Sequence, residues 1–266
     1  MLTNASAHDP AAKATYLGNE GVMVARGDTK ILFDAFYASS YEQYALVPDH
    51  IAEAMLEGAA PYDGVDAIFV SHVHGDHFTA APAIAYMRAQ EDVTLYASVQ
   101  IREAFLEAGV EEDDPLLSRV RTFDFIPGGD PITVELENLL VDAVAIPHAG
   151  DRPDVQNVAW RVSLDDETTV IHLGDADTEP AHFERHREHF ASRNHDAAFP
   201  PYWFYLNENG RRVLETYIAA DHTIGVHVPA RAAGNGNAWR ARADGDLFTD
   251  PGETRAIGGA QASEDE

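Results

Sequence analysis

The sequence predicts an α/β fold of four layers, an αββα sandwich in which two β-sheets pack face to face and helices cover both outer faces. Three observations predict it. Glycine-punctuated strands open the chain, strands then alternate with helices, and that style returns in the second half. The 266 residues are read as one domain, with a polar, glycine-containing tail over 244–266 that is expected to be partly mobile.

Taken in order, "TYLG" (15–18), "GVMVARG" (21–27) and "KILFDAF" (30–36) read as an antiparallel meander turning at Gly18–Gly21 and Gly27–Asp28. A helical stretch over 41–56 is expected to break or restart at Pro48, because proline fits a first helical turn but not a helix interior. "VDAIFVS" (65–71) is an apolar run of strand length, which suggests burial on both faces. A helix over 77–90, a strand over 93–98 and a helix over 99–109 follow. The second half adds strands at 119–125, 131–136, 139–147, 156–164 and 168–173, a helix near 179–190, a strand near 196–199, a helix near 208–220 and a strand at 222–228.

Composition narrows the function classes. No apolar run reaches the ~18 to 20 residues needed to span a bilayer, and the first residues lack both a basic segment and a continuous apolar one. The expected location is the cytoplasm, or an exported one if a leader ahead of Met1 has been removed. Cysteine is absent, so the chain has no disulfide, no thiolate nucleophile and no sulfur ligand. Any metal is held by nitrogen and oxygen. A net charge of -27, with Lys13 and Lys30 the only lysines, argues against nucleic acid as a partner. The acid excess serves solubility or adapts the chain to concentrated salt, where it would be screened.

Chemistry concentrates in "SHVHGDH" (71–77), which follows the apolar run. In an extended segment His72 and His74 point to one side and can reach a single ion. Gly75 permits a change of direction, so that Asp76 and His77 project elsewhere, towards a second ion. Burying four such donors unpaired would be costly, which favours metal binding over a polar turn. Further donors end predicted strands: His148 in "VAIPHAG", Asp175 in "VIHLGDAD" and His227 in "TIGVHVP". Each histidine alone reads more simply as an ordinary strand-end residue. A carboxylate such as Asp175, with two oxygens, can bridge a metal pair ~3.5 to 4 Å apart.

The order HxHxDH, a distant histidine, a strand ending in GD and a last histidine resembles the metallo-β-lactamase-fold superfamily of dinuclear metallo-hydrolases. The likeness includes the opening strands "YLGNEGVMVARGDTKILFDAF". It implies that His72, His74 and His148 hold one ion, that Asp76, His77 and His227 hold the second, and that Asp175 bridges them. "PHAGDRPDVQNVAWRV" with "VIHLGDAD" is similar to the branch of ascorbate-phosphate-lactonase-like and N-acylphosphatidylethanolamine-phospholipase-like proteins. Two divalent ions are implied, with Zn2+ expected and Mn2+ or iron chemically acceptable. The antibiotic-hydrolysing members lack the bridging aspartate, which argues against β-lactamase activity. Only 51 residues separate Asp175 from His227, leaving no room for the inserted domain of the RNA-processing members.

The expected activity is hydrolysis of a small molecule, a lactone, ester or amide, by a metal-bridging hydroxide, with Asp76 orienting the nucleophile. The alternatives are a phosphodiesterase of phospholipase D type and an iron-dependent oxidoreductase on the same fold. Tyr202, Trp203 and Tyr205 either shape the site's mouth or merely cover the sheet. Arg152 and Asn157 either contact a substrate anion or sit in a loop salt bridge. His182, His186 and His189 would share one helical face, read as solvated, while His172 and His222 are expected to miss the metals.

Overall fold

The computed structural model describes residues 11–126 and 128–258. Residues 1–10 of the stretch read for a leader at the amino terminus, and the end of the tail, 259–266, lie outside the described residues.

Sheet one holds β1 (Ala12–Gly18), β2 (Gly21–Arg26), β3 (Thr29–Phe33), β4 (Ala67–Phe69), β5 (Thr94–Ser98), β6 (Val120–Phe123) and β14 (Thr254–Ile257), in the order β14-β1-β2-β3-β4-β5-β6. Sheet two holds β7 (Ile132–Glu135), β8 (Leu139–Ala145), β9 (Val158–Leu164), β10 (Thr168–His172), β11 (Ala197–Phe199), β12 (His222–Gly225) and β13 (Asp246–Leu247), in the order β13-β12-β11-β10-β9-β8-β7. The helices are α1 (Asp49–Glu57), α2 (Ala80–Ala89), α3 (Val99–Glu107), α4 (Pro180–Glu184), α5 (Arg187–Ala191), α6 (Glu208–Val213) and α7 (Gly236–Ala243). The expected four-layer αββα sandwich is the observed fold.

The two-residue period of the strands builds the layers. In β2, Val22 and Val24 face the other sheet while Met23 packs outward; in β3, Ile31 and Phe33 point inward and Leu32 outward. Opposite them, Trp160, Val162, Val170 and Phe199 complete the inner core. The outward set of sheet one meets Ile51 and Met55 of α1, Met87 of α2 and Phe105 of α3. Ala159 and Ile171 of sheet two meet Phe183, Phe190 and Val213 of α4 to α6. Each face of both sheets is therefore buried, which is why the strands read as nearly unbroken apolar runs.

Four expectations need correction. The helix over 41–56 starts only after Pro48, because Tyr41 and Glu42 adopt left-handed backbone angles of +46° and +59° that no α-helix continues. The helix near 179–190 is two short pieces, and the one near 208–220 ends in a π-helical turn over Leu214–Ile218. The stretch after Asp244, read as a tail, supplies β13 and β14, and β14 pairs antiparallel with β1 from Ala12↔Ile257 to Thr15↔Thr254. Its polar residues are there to close a sheet edge: Arg255 forms a bidentate pair with Asp246, at 2.7 and 2.9 Å.

Candidate metal centre

The site gathers where strands end. β3 and β4 run parallel, as do β10, β11 and β12, and chain leaving β3, β4, β10 and β12 delivers Asp34, 71–77, Asp175 and His227 to one end of the sandwich. His148 arrives there from β8 and forms an isolated bridge with Ala176. In open α/β sheets this carboxyl end is the usual ligand crevice.

All seven predicted residues lie together. One ligand atom each from His72, His74, His148 and Asp175 falls within a mutual 4.8 Å, and so does one each from Asp76, His77 and His227. Asp175 joins the two groups. Its Oδ2 lies 3.3 Å from His148 Nε2 and 3.9 Å from His72 Nε2, while its Oδ1 lies 3.4 Å from His77 Nε2 and 3.3 Å from His227 Nε2. Asp76 Oδ2 is 3.3 Å from His227 Nε2.

Outer contacts fix the ring tautomers. Ser71 Oγ donates to Asp34 Oδ2 at 2.5 Å, which leaves it to accept from His72 Nδ1 at 2.9 Å. His77 Nδ1 donates to Asp34 Oδ2 at 2.9 Å, and His148 Nδ1 to the Ala149 carbonyl at 2.6 Å. Three Nε2 lone pairs are thus turned inward with their other nitrogens occupied, the arrangement that orients metal-binding imidazoles. Several inward atoms lack partners: His77 Nε2, Asp175 Oδ1 and His227 Nε2 are buried without a hydrogen bond. Such orphans are expensive unless a cation sits among them, so the donor set fits divalent ions.

The electrostatics agree. Burial and the rings of His77, His148 and His74 hold His72 well below the usual histidine range, and burial with His148 and His77 lowers His74. Burial alone would raise Asp175 and Asp76. For Asp175, His227 and His77 outweigh it and hold the carboxyl well below its usual range; for Asp76, His227 and His77 do the same more weakly. His77 moves the other way: against burial, Asp175, Asp34 and Glu20 hold its pKa well above the ordinary value. A proton on His77 thus supplies part of the positive charge that these carboxylates demand.

The structure sharpens the role of Gly75. Its backbone is absent from the left-handed set, and the turn closes instead through His77 N and Phe78 N donating to the His74 carbonyl at 2.9 and 2.8 Å. A Cβ on Gly75 would come within 3.2 Å of Ser39 Cβ, so close approach rather than backbone angle calls for glycine. Gly174 needs both. Its φ is +54°, and a Cβ would meet Asn157 Oδ1 and Ser71 Cβ at 2.5 Å.

Of the remaining candidates, Asn157 is buried behind the site. It donates to the Ile146 and Leu173 carbonyls and accepts from Asp175 N at 3.0 Å, so it positions Asp175 while also lining the cavity beside His148. Arg152 and His182 line a cavity of about 490 Å³ that also reaches His148, Ile146, Phe125 and Asp177. Trp203 stands with its ring 5.1 Å from that of His227 and donates to the Ala176 carbonyl at 3.3 Å, whereas Tyr205 is buried in the outer core. Tyr44 packs edge-on against His227 at 4.1 Å. Helices α4 and α5 separate His182 from His186 and His189, and none of the three joins a metal-sized cluster among the described residues. His172 Nε2 donates to the Glu20 carbonyl at 3.0 Å and its ring stacks on Phe33, while His222 pairs with Asp246 at 3.0 Å.

Asp34, Asn19 and Glu20 are site residues that motif reading missed. Asn19 Nδ2 donates to the Asp76 carbonyl at 2.9 Å and its own carbonyl accepts from His227 N at 2.9 Å. The "D" of "ILFDAF", ending a buried strand, was the available signal for Asp34.

Fold and site define a two-sheet α/β sandwich with buried histidines and carboxylates clustered at the ends of its strands. The description "Beta-lactamase superfamily domain" matches residues 29–207, and the chain belongs to that superfamily. Solved structures share the fold at low identity. Igni18, a metallo hydrolase from Ignicoccus hospitalis, is 13% identical with a TM-score of 0.56 over 94% of this chain and 100% of that one. The isothiocyanate hydrolase from Delia radicum gut bacteria is 15% identical with a TM-score of 0.58, over 92% and 99%. CmlA, a diiron β-hydroxylase from Streptomyces venezuelae, is 14% identical with a TM-score of 0.53, over 93% of this chain and 54% of its own. No curated protein matches the chain in sequence. Among the described residues no helix is long and apolar enough to cross a membrane.

Proposed function

We propose that the chain is a dinuclear metal-dependent hydrolase acting on a lactone, ester or amide, with His72, His74 and His148 holding one ion, Asp76, His77 and His227 the other, and Asp175 both. The observation that carries this reading is Asp175, whose two oxygens each face a separate pair of inward imidazoles. The nitrogen and oxygen donors suit Zn2+, and Mn2+ or iron also. When bound, such a pair supplies hydroxide near neutral pH and an electrophile for the attacked oxygen.

The chain's own residues do the rest. Asp76, held ionised by His227 and His77, accepts the nucleophile's proton, and Asn19 fixes its backbone. Trp203 and Tyr44 wall the His227 side and limit water there. The cavity beside His148 receives the acyl portion, with Ile146 and Phe125 as apolar walls and Arg152 to meet a polar or anionic end. Its volume suits a small molecule, and the branch likeness of "PHAGDRPDVQNVAWRV" makes lactones and phospholipid-like esters the first substrates to try.

The test is a screen of the Zn2+-loaded protein against lactones, aryl esters, amides and a bis-aryl phosphate, with oxygen uptake followed on the iron-loaded form. Lactone or ester turnover that disappears in Asp76→Ala is expected. Cleavage of the phosphodiester alone would favour the phospholipase D type of activity. Oxygen consumption by the iron form without hydrolysis would favour the oxidoreductase, a reading that the diiron hydroxylase on this fold keeps in the screen.

A further inference from the structure

Beneath His77 lies a carboxylate that the seven residues above do not include. Glu20 sits in the turn between β1 and β2, its side chain is 0% exposed, and both of its oxygens lack a hydrogen-bond partner. Every donor nearby is already committed. His77 Nδ1, 3.7 Å from Glu20 Oε2, donates to Asp34; His172 Nε2, also 3.7 Å away, donates to the Glu20 carbonyl; Asn19 Nδ2 donates to Asp76. A buried carboxyl with nothing to accept from costs on the order of several kcal/mol as an anion. A protonated His77 offsets only part of that cost, from 3.7 Å and without a hydrogen bond, while the adjacent Asp175, Asp34 and Asp76 are themselves carboxylates and add to it.

A cation does relieve it. One oxygen of Glu20, one nitrogen of His77 and one oxygen of Asp175 lie within a mutual 4.8 Å, the spacing that ligands of a single ion require. We propose that Glu20 is an eighth residue of the metal centre, its carboxylate a ligand of the ion that His77 and Asp175 share. This rests on the dinuclear reading above and goes beyond it: the second half of the centre becomes richer in oxygen than the first, which holds three imidazoles. Ligands of this hardness move a site's preference towards Mn2+ or iron relative to an imidazole-only set.

The test compares wild type with Glu20→Gln by chelator competition with Zn2+ and Mn2+, read alongside thermal melting with and without EDTA. The Gln variant is expected to bind one ion as wild type does and the other 10- to 100-fold more weakly, with the larger loss for Mn2+. Its EDTA-treated form is expected to melt no lower than wild type, since a neutral amide replaces an unpaired buried carboxyl; a purely structural Glu20 would lower that melt. Two wild-type affinities in Glu20→Gln would overturn the proposal while leaving the dinuclear reading intact, and a wild type that binds no metal would overturn both. Anomalous diffraction from metal-loaded wild-type crystals decides the matter if the variant does not fold. A Glu20 oxygen about 2.0–2.2 Å from an ion supports the proposal, and one beyond coordinating distance of both ions refutes it.

Discussion

Asp34 touches no inward-facing donor atom, yet it holds three groups that place the centre: Ser71 N at 2.7 Å, Ser71 Oγ and His77 Nδ1. Asp34→Asn would keep the shape but lose charge against His77, and metal affinity measured by chelator competition is expected to fall about 10- to 100-fold. Direct ligands should be less forgiving: His74→Ala and Asp76→Ala are expected to abolish turnover while circular dichroism stays native, and wild-type rates in either would remove it from the site. Acid has a defined sign here. Because the carboxylates hold the His77 pKa above its ordinary value, an incoming ion must displace a proton over a wide pH range. Apparent affinity is therefore expected to rise with pH through and beyond the normal histidine range, with protons released in calorimetry, and a pH-independent affinity would contradict the His77 assignment. The sequence made the clustered donors of 71–77 legible because four of them crowd after one buried strand. It hid Asn19 and Glu20, since lone polar residues in turns carry no pattern and only tertiary approach gives them a partner.

Strand ends carry the site, so the elements show which parts of the pattern reading were firm. β2, β3 and β9 were legible because alternate residues face different cores, and the core needs both faces apolar. β13 and β14 were not: "DL" and "TRAI" lack that signature because an edge strand needs few apolar residues and is held by ion pairs. Asp246, which accepts from Arg255 and His222, is the peg for both. Asp246→Ala is expected to destabilise the protein by about 1–3 kcal/mol and to speed hydrogen exchange over 246–257 first. Burial would raise the Asp246 pKa, but His222 and Arg255 hold it well below the usual carboxylate range. Its contribution is thus present above the unfolded-state value of about 3.9 and lost as pH falls below it. At the β10 end, Gly174→Ala would push a methyl into Asn157 and Ser71 and displace Asp175. A stability loss of about 1–3 kcal/mol together with weakened metal binding is expected, and unchanged metal affinity would show that Asp175 does not depend on this turn.

The whole molecule sets a concentrated cationic demand inside an acidic body. With 45 acidic against 18 basic residues, self-repulsion opposes compaction in dilute buffer, and salt at about 1 M shortens its range to roughly 3 Å. If the acidity is salt adaptation, the melting temperature should climb steadily from 0.1 M-scale to molar NaCl; if it serves solubility alone, the melt should stay flat while aggregation changes. The centre should respond differently, because buried pairs are screened far less than surface ones. Everything proposed for activity depends on two ions meeting at Asp175, and counting them is the most direct test. Elemental analysis of the purified protein after loading with excess Zn2+ and desalting is predicted to find two ions per chain, and no more than one in Asp175→Ala. One ion or none in the wild type would contradict the dinuclear centre.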